Sequence, residues 1–204
     1  IIAGREMILR RARGYAPMPI SLPSEIPSLV AVGAHLKNTL AFSRGRDVFV
    51  SQHIGDLENA EARGAFERVL SDFPKLYEIT PQAAVTDLHP DYSSTRAAAD
   101  LKIPIIPIQH HFAHIRSCMA ENDLEGEVLG VAWDGVGLGE DRTLWGGEFL
   151  LATQGSYRRF GHFRYFPLPG GENAIREPRR VAVGLLYDLF DDELYKYNSI
   201  SSLQ

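Results

Sequence analysis

Two stretches of the chain share one design, and this repeat restricts the possible folds more than any other feature. In residues 30–42 (VAVGAHLKNTLAF) and in residues 129–151 (LGVAWDGVGLGEDRTLWGGEFLL), an apolar strand ends in a loop of small residues and a second strand returns. Two such units in one chain indicate an internal duplication. The alternative is that any two hairpins resemble each other, since few letters match between the two stretches.

The segments around the first hairpin alternate between strand and helix patterns. Residues 28–56 contain three apolar runs, VAVGA, NTLAF and DVFVSQ, separated by the turn-like HLK and SRGR, which predicts an antiparallel meander. Helical spacing in residues 58–77 places five apolar residues on one face: Ala62, Phe66, Val69, Leu70 and Phe73. Residues 9–27 are rich in proline and arginine without a clear period, so we predict a linker there.

The elements that follow complete the prediction of an α/β fold. A strand in AAVTDLHPDY is followed by a short helix in SSTRAAADL and a strand in IPIIPIQ, whose Pro104 and Pro107 indicate the edge or the ends of a sheet. Residues 127–166 then have the pattern strand, glycine turn, strand, turn, strand. Strands and helices that alternate in this way are typical of α/β proteins.

The composition argues against two classes of partner. A net charge of −5 without any basic run disfavours nucleic acid. No apolar run approaches the roughly 20 residues of a membrane-spanning helix, and no secretory signal opens the chain, because residues 1–14 have the pattern of a strand and a basic turn. The single cysteine, Cys118, excludes an internal disulfide, so we expect a cytoplasmic location. Because free cysteines are usually buried, we also expect Cys118 to lie in the core.

Three histidines lie within the stretch QHHFAHIRS, residues 109–117. If a helix begins after the strand, His110 and His114 project from one face, one turn apart, and can share a metal ion. His111 stands where helical zinc proteases need a glutamate, which disfavours hydrolysis by that route. Because catalytic metals usually have three protein ligands, Asp134, at the end of a later strand, is the best third candidate. The alternative is that these are core or surface histidines.

The loop DGVGLGED, residues 134–141, is a candidate phosphate site. Gly135, Gly137 and Gly139 free the backbone for positive φ, so that its N–H groups can point at an anion. A strand and not a helix follows these glycines, so the dinucleotide-binding interpretation fails. A glycine-rich hairpin turn explains the spacing equally well.

Two further motifs allow a functional and a structural interpretation. In LPGGENAIREP, Gly170, Gly171 and Glu172 could lie against a ligand, since paired glycines permit close backbone approach, but a loop that joins a strand to a helix capped by Asn173 is slightly favoured. In DLHPDYSST, Asp87 and His89 are possible functional residues, and an Asp–Pro turn accounts for them as well.

Seven motifs follow one another along the chain: RRARGYAP, GAHLKNTLAF, SQHIGDLEN, DLHPDYSSTR, QHHFAHIRSCMAEN, WDGVGLGEDRTLWGGEF and LPGGENAIREPRR. In this order they resemble the HypF family of hydrogenase maturation carbamoyltransferases, over nearly the whole chain. The resemblance covers the first part of that family's C-terminal region, which is similar to the universal tRNA threonylcarbamoyl-transfer family. It therefore implies a duplicated actin/Hsp70/sugar-kinase-like fold.

The resemblance implies a reaction in two steps for the whole protein. Carbamoyl phosphate and ATP yield carbamoyl adenylate in a preceding domain similar to the YrdC family. The region represented here then transfers the carbamoyl group to the C-terminal cysteine of a HypE-like acceptor protein. Dehydration on that acceptor makes the cyanide ligand of [NiFe]-hydrogenase.

The resemblance also implies roles for individual residues. The family's metal ligands fall on His110, His114 and Asp134, and the metal is a divalent ion, zinc or iron. The glycines that hold the phosphates of ATP or carbamoyl adenylate fall on Gly135 and Gly137.

Lys37, in GAHLKNT, falls on a family lysine that faces the transferred group. An ammonium there would stabilise negative charge developing on the carbamoyl or phosphate oxygens. The family's last metal ligand, an aspartate near its far C-terminus, has no counterpart in this chain.

The resemblance predicts a truncated fold with three parts. Residues 1–23 are a linker and the end of a YrdC-like domain, residues 24–120 form the first actin-like lobe, and residues 121–204 begin the second. Alternative functions are a related small-molecule O-carbamoyltransferase, a tRNA threonylcarbamoyl-transfer protein, or a non-catalytic docking module formed by this region alone. RRARGYAP and SQHIGDLEN favour the hydrogenase version.

Overall fold

The computed structural model describes residues 4, 6, 8, 10, 11, 14–16, 18–171, 173–191 and 193. They divide into two compact units, residues 1–161 and residues 162–204. The strand predicted in residues 1–14 falls largely outside the described residues. The predicted α/β class is confirmed, with two main sheets and helices packed on them.

The first sheet has five strands in the order β1-β3-β2-β4-β5. The strands are β1 (Ile20–Ile26), β2 (Leu29–Ala31), β3 (Ala41–Val50), β4 (Ala83–Asp87) and β5 (Ile105–Ile108). β3 is antiparallel to β1 and β2, whereas β2, β4 and β5 are mutually parallel. The carboxyl ends of the three parallel strands therefore meet at one edge, where ligand sites of α/β sheets form.

The structure corrects two predictions, the turn at SRGR and the linker in residues 9–27. SRGR is not a turn, because β3 runs through it, and Gly45, at φ 61°, pairs with Ile26 where the β1–β3 register shifts. The missing third strand comes from before the hairpin: β1 begins at Ile20, inside the predicted linker. β1 has no clear apolar period because it is an edge strand, where Pro23 needs no ladder partner.

Two helices cover this sheet, α1 (Ala60–Leu76) and α2 (Ser93–Asp100). The predicted apolar face of α1 is confirmed: Phe66 and Val69 are buried, and Ala62, Leu70 and Phe73 pack against the same core. α1 begins after Asn59, whose side chain accepts a hydrogen bond from the Glu61 N–H and so caps the helix. β5 is an edge strand, as its two prolines indicated.

The second sheet has the order β10-β9-β6, with β6 (Val128–Ala132), β9 (Glu148–Ala152) and β10 (Tyr157–His162). β6 and β9 are antiparallel, which repeats the β2–β3 pairing. A small hairpin of β7 (Gly137–Leu138) and β8 (Leu144–Trp145) is inserted between them. The two-sheet pattern agrees with a first lobe and the opening sheet of a second.

A third helix, α3 (His110–Glu121), follows β5 and packs on the second sheet. Phe112, Ile115 and Met119 share a core with Ala132, Trp145, Leu150 and Ala152. A Cβ at Gly130 would lie 2.5 Å from Ile115 carbons, so glycine is what permits this close approach of α3 to β6. The domain boundary after residue 120 stays a prediction.

The second unit contains α4 (Asn173–Arg176) and α5 (Pro178–Phe190). α5 packs against the preceding loop at Gly184, where a Cβ would overlap the Pro167 carbonyl oxygen. None of the helices in the described part of the chain is long and apolar enough to cross a bilayer.

Candidate metal centre

The first two candidate ligands lie on the first turns of α3. Gln109 is the N-cap, and its side chain accepts a hydrogen bond from the Phe112 N–H, so the helix starts directly at His110. The ring nitrogens Nε2 of His110 and His114 are 3.2 Å apart. The predicted one-turn arrangement of these two imidazoles is therefore present.

The third candidate, Asp134, comes from the loop that leaves β6. Its Oδ2 lies 2.6 Å from His110 Nε2 and 3.7 Å from His114 Nε2. One ligand atom from each of the three side chains falls within 4.8 Å of the others. Two ligands of a tetrahedral zinc are about 3.3–3.6 Å apart, given bond lengths of about 2.0–2.2 Å. The donor set fits a divalent metal, after a small shift of the carboxylate away from His110.

Asp87, at the end of β4, orients His110 from the other side. Its Oδ2 lies 2.6 Å from His110 Nδ1, and its Oδ1 accepts the His89 N–H. Asp87 pairs in register with Ile108, the last residue of β5, which places it beside the start of α3. A carboxylate that holds the second nitrogen of a histidine is the usual partner of a metal-bound imidazole. The sequence signal was the strand-end aspartate in DLHPDY, for which a turn was an equal explanation.

The charges of the site are strongly coupled. Hydrogen bonds that the His110 ring donates to Asp134 and then to Asp87 raise the pKa of His110 to about 9, although burial acts in the opposite direction. The hydrogen bond from His110, and then the nearby His114 ring, lower the pKa of Asp134 well below its usual range. Without metal, an imidazolium therefore lies between two carboxylates, and its Nε2 proton occupies the direction in which a metal would bind.

His111 docks α3 onto the inserted hairpin and takes no part in the cluster of ligands. Its side chain is fully buried, with Nδ1 3.0 Å from the Gln109 amide nitrogen. That same amide donates to the Leu138 carbonyl oxygen in β7. Since the Gln109 amide nitrogen is a donor, His111 Nδ1 accepts, and burial lowers the pKa of His111 and favours the neutral ring.

The glycines of the loop differ from the prediction in their conformation. None of Gly135, Gly137 and Gly139 has positive φ. A Cβ at Gly137 would lie 2.7 Å from His111 Cε1, and one at Gly139 would overlap the Trp145 ring. These two glycines are buried and serve close packing, and the Gly139 N–H already donates to the Thr143 carbonyl oxygen. Gly135 is exposed, with its N–H directed at Asp134 Oδ1.

Lys37 lies in the turn after β2, exposed and at a φ of 51°. Its backbone N–H donates to Asp56 Oδ1 at 2.8 Å. Among the described residues, no contact joins the Lys37 ammonium to the histidine cluster. The catalytic role of Lys37 therefore stays a prediction.

Gly170 and Gly171 both have positive φ, at 82° and 56°, and form a tight turn before α4. The Asn173 N–H donates to the Gly170 carbonyl oxygen, so Asn173 is the first residue of α4 and not its cap. A ligand role for the two glycines stays a prediction, and Glu172 lies outside the described residues.

Cys118 is exposed, and the prediction of a core position for it is wrong. It lies two turns after His110 on α3, and with His114 it lines a small groove between α3 and β6. Ile115 and Met119 occupy the core side of α3 instead, because they face the sheet.

Comparisons with known proteins agree on one family. The family model "HypF Kae1-like domain" matches residues 24–121, and "Carbamoyltransferase, Kae1-like Domain, second subdomain" matches residues 130–202. Similar curated proteins are carbamoyltransferase HypF of Synechocystis sp., 47% identical over 95% of this chain, and a probable carbamoyltransferase HypF of Methanocaldococcus jannaschii, 31% identical over 96%. This chain spans 25% and 26% of their lengths.

Two solved structures are similar as well. A full-length HypF in a phosphate- and nucleotide-bound form matches with a TM-score of 0.87 and 45% identity, over 91% of this chain and 25% of the other. HypF of T. kodakarensis matches with a TM-score of 0.86 and 36% identity, over 95% of this chain and 26% of the other.

Proposed function

The chain belongs to the HypF family of carbamoyltransferases, as part of its Kae1-like region, and on this premise we propose that it carries the metal-binding half of a carbamoyl-transfer site. The single observation that supports this most is the convergence of His110, His114 and Asp134. Three side chains from two separate elements present one ligand atom each within 4.8 Å. When bound, a divalent metal, zinc or iron, would supply Lewis-acid polarisation of a carbamoyl or phosphate oxygen.

The proposed substrate is carbamoyl adenylate, made elsewhere in the intact protein from carbamoyl phosphate and ATP. The acceptor is the C-terminal cysteine of a HypE-like protein. Its thiolate sulfur attacks the carbamoyl carbon, the bond from that carbon to the adenylate phosphate oxygen breaks, and AMP leaves with the electron pair. The thiol gives its proton to a base, and the product is a thiocarbamate on the acceptor.

The chain's own residues have defined parts in this proposal. Asp87 holds the Nδ1–H of His110, so that Nε2 faces the metal position when the ring is neutral. Gly135, the exposed glycine of the loop, is the one of its three candidate glycines that a phosphate can approach. Lys37 is the proposed electrostatic stabiliser of negative charge on the transferred group. Gly170 and Gly171 are proposed to contact the nucleotide.

The proposed use of a nucleotide has support from the relatives. A HypF that is 45% identical has been solved in a phosphate- and nucleotide-bound form. The relatives reported above are named carbamoyltransferase HypF or probable carbamoyltransferase HypF, which favours a HypF-type carbamoyltransferase over small-molecule or tRNA transfer.

The proposal is tested by ATP titration calorimetry on the intact protein, with divalent metal and with chelator. If the metal that Asp134 would hold contributes to nucleotide binding, Asp134→Asn weakens ATP binding only when metal is present. An equal loss of ATP affinity in chelator and in metal would contradict this contribution. Transfer of the carbamoyl group to a peptide that ends in cysteine, measured in a single turnover, tests the activity itself.

A further inference from the structure

The loop that carries Asp134 is held by a buried ion pair away from the ligand cluster. Glu148, the first residue of β9, is fully buried, and Arg159 in β10 donates to both of its carboxylate oxygens, at 2.6 Å to Oε2 and 2.8 Å to Oε1. A buried charge is costly unless it is paired and hydrogen-bonded. Removing either charge would therefore leave the other one buried without its partner.

Glu148 is connected to the ligand loop by two hydrogen bonds and one close contact. Its Oε1 also accepts the Gly146 N–H at 3.1 Å. The next N–H, of Gly147, donates to the Asp134 carbonyl oxygen at 3.2 Å. A Cβ at Gly146 would overlap the Gly135 carbonyl oxygen, so this turn lies directly against the backbone of Asp134 and Gly135.

Arg159 also contacts the inserted hairpin of β7 and β8. Its guanidinium lies 4.0 Å from the centre of the Trp145 ring, in β8. The Trp145 indole N–H donates to Asp141 Oδ1, and Arg159 lies 3.8 Å from the other Asp141 oxygen. One guanidinium thus contacts three residues of the segment that returns from Asp134 to β9: Asp141, Trp145 and Glu148.

We propose that the Glu148–Arg159 ion pair positions Asp134, by holding the Gly146–Gly147 turn against the backbone that carries this ligand. The inference rests on the proposed metal function of Asp134. Glu148 touches neither metal nor substrate in this proposal and acts through the turn. A purely structural pair would change the stability of the protein and leave metal affinity per folded molecule unchanged.

Metal affinity of the intact protein, measured with zinc against a chromophoric chelator, distinguishes the two roles. Glu148→Gln keeps the side-chain volume but loses the charge, and it should weaken zinc binding tenfold or more per folded molecule. Val69→Ala, in the core of the first sheet, is the control: it lowers the melting temperature and should leave zinc affinity unchanged. Arg159→Lys, which retains a positive charge, should keep more affinity than Arg159→Met.

A double-mutant cycle tests whether Glu148 acts through Asp134. In an Asp134→Asn background, Glu148→Gln should cause no more than a twofold further loss of zinc affinity. Equal tenfold losses in both backgrounds would overturn the positioning role, as would a Glu148→Gln variant with the parent's affinity.

If the parent protein binds no zinc, that finding would overturn the metal function alone. Hydrogen exchange of the metal-free protein would still test whether the ion pair positions the Asp134 loop. In Glu148→Gln, the peptide that contains Gly147 should exchange at least tenfold faster, because its N–H loses support, whereas peptides of α1 should not change. Unchanged exchange at Gly147 would overturn the proposed coupling between the ion pair and the ligand loop.

Discussion

Asp87 Oδ2 and His110 Nδ1 are 2.6 Å apart, and this hydrogen bond joins the end of β4 to the first residue of α3. It determines which nitrogen of His110 is available. With Nδ1–H committed to Asp87, the lone pair of a neutral His110 is on Nε2, towards Asp134 and His114.

Asp87→Asn should weaken metal binding by about 10–100-fold, the usual effect of losing such an orienting carboxylate. Competition with a chromophoric chelator measures the change. Asp91→Asn is the matched control, since Asp91 pairs with Arg96 on the surface and should leave the affinity unchanged. Equal affinities in the parent and Asp87→Asn would show that the hydrogen bond is dispensable.

Elemental analysis of purified variants should show different metal contents when the three histidines are replaced one at a time. His110→Ala and His114→Ala should abolish metal retention, whereas His111→Ala should keep most of it per folded molecule. Because His111 is fully buried against the hairpin, its loss should instead cost about 2–4 kcal/mol of the free energy of unfolding. Equal metal content in all three variants would contradict the ligand assignment.

Metal affinity should rise with pH. A metal binds neutral imidazole, and the pKa of His110 is raised to about 9, so the ring is protonated at neutral pH. Affinity should therefore increase by about tenfold per pH unit from pH 7 to pH 9 and level off above. Calorimetry in buffers of different ionisation enthalpy should detect about one proton released per metal at pH 7.5. A flat profile would contradict the protonated state of His110.

The same shift predicts a pH dependence of the metal-free protein. The folded-state pKa of His110 is higher than the unfolded value of about 6.5, so this group stabilises the fold fully below pH 6.5. Its contribution should be lost as pH rises through about 9. Thermal unfolding of the chelator-treated protein from pH 6 to pH 10 measures it, and His110→Ala should remove this part of the dependence.

Two loop glycines should differ in their response to alanine. Gly137→Ala should lower both the melting temperature and metal affinity, because the added Cβ would meet His111 at 2.7 Å and His110 at 2.9 Å. Gly135→Ala meets no atom within 4 Å and should leave the melting temperature unchanged. If Gly135 is where phosphate approaches, Gly135→Ala should weaken ATP binding in calorimetry without destabilising the protein.

Lys37→Ala should slow carbamoyl transfer by on the order of 100-fold, the scale of losing one electrostatic stabiliser. ATP and metal binding should remain nearly intact. Lys102→Ala is the matched control, since Lys102 is also an exposed lysine with positive φ, 54°. Single-turnover transfer to a cysteine-terminated peptide gives the rates, and a parent-like rate in Lys37→Ala would show that Lys37 is only a turn residue.

Local patterns predicted the elements that depend on local interactions. The apolar face of α1 and the edge position of β5 follow from spacing and proline chemistry, which act within a few residues. The helix at His110 was only a condition of the sequence argument, and the structure shows that it begins there, capped by Gln109. β1 was missed because an edge strand needs no apolar period, and SRGR was misread because pairing with β1 keeps Gly45 within β3. For Gly135, Gly137 and Gly139, the sequence could not distinguish positive φ from close packing.

The sequence by itself determined that His110 and His114 share one face of a helix, because residues four apart are neighbours on any α-helix. Only the tertiary structure decided what surrounds them. Asp87 reaches His110 because β4 and β5 are parallel neighbours whose ends coincide, and Asp134 reaches it because α3 packs on β6. The burial of His111 has the same origin, since contacts between residues more than 20 positions apart depend on sheet order and helix packing, which no local period encodes.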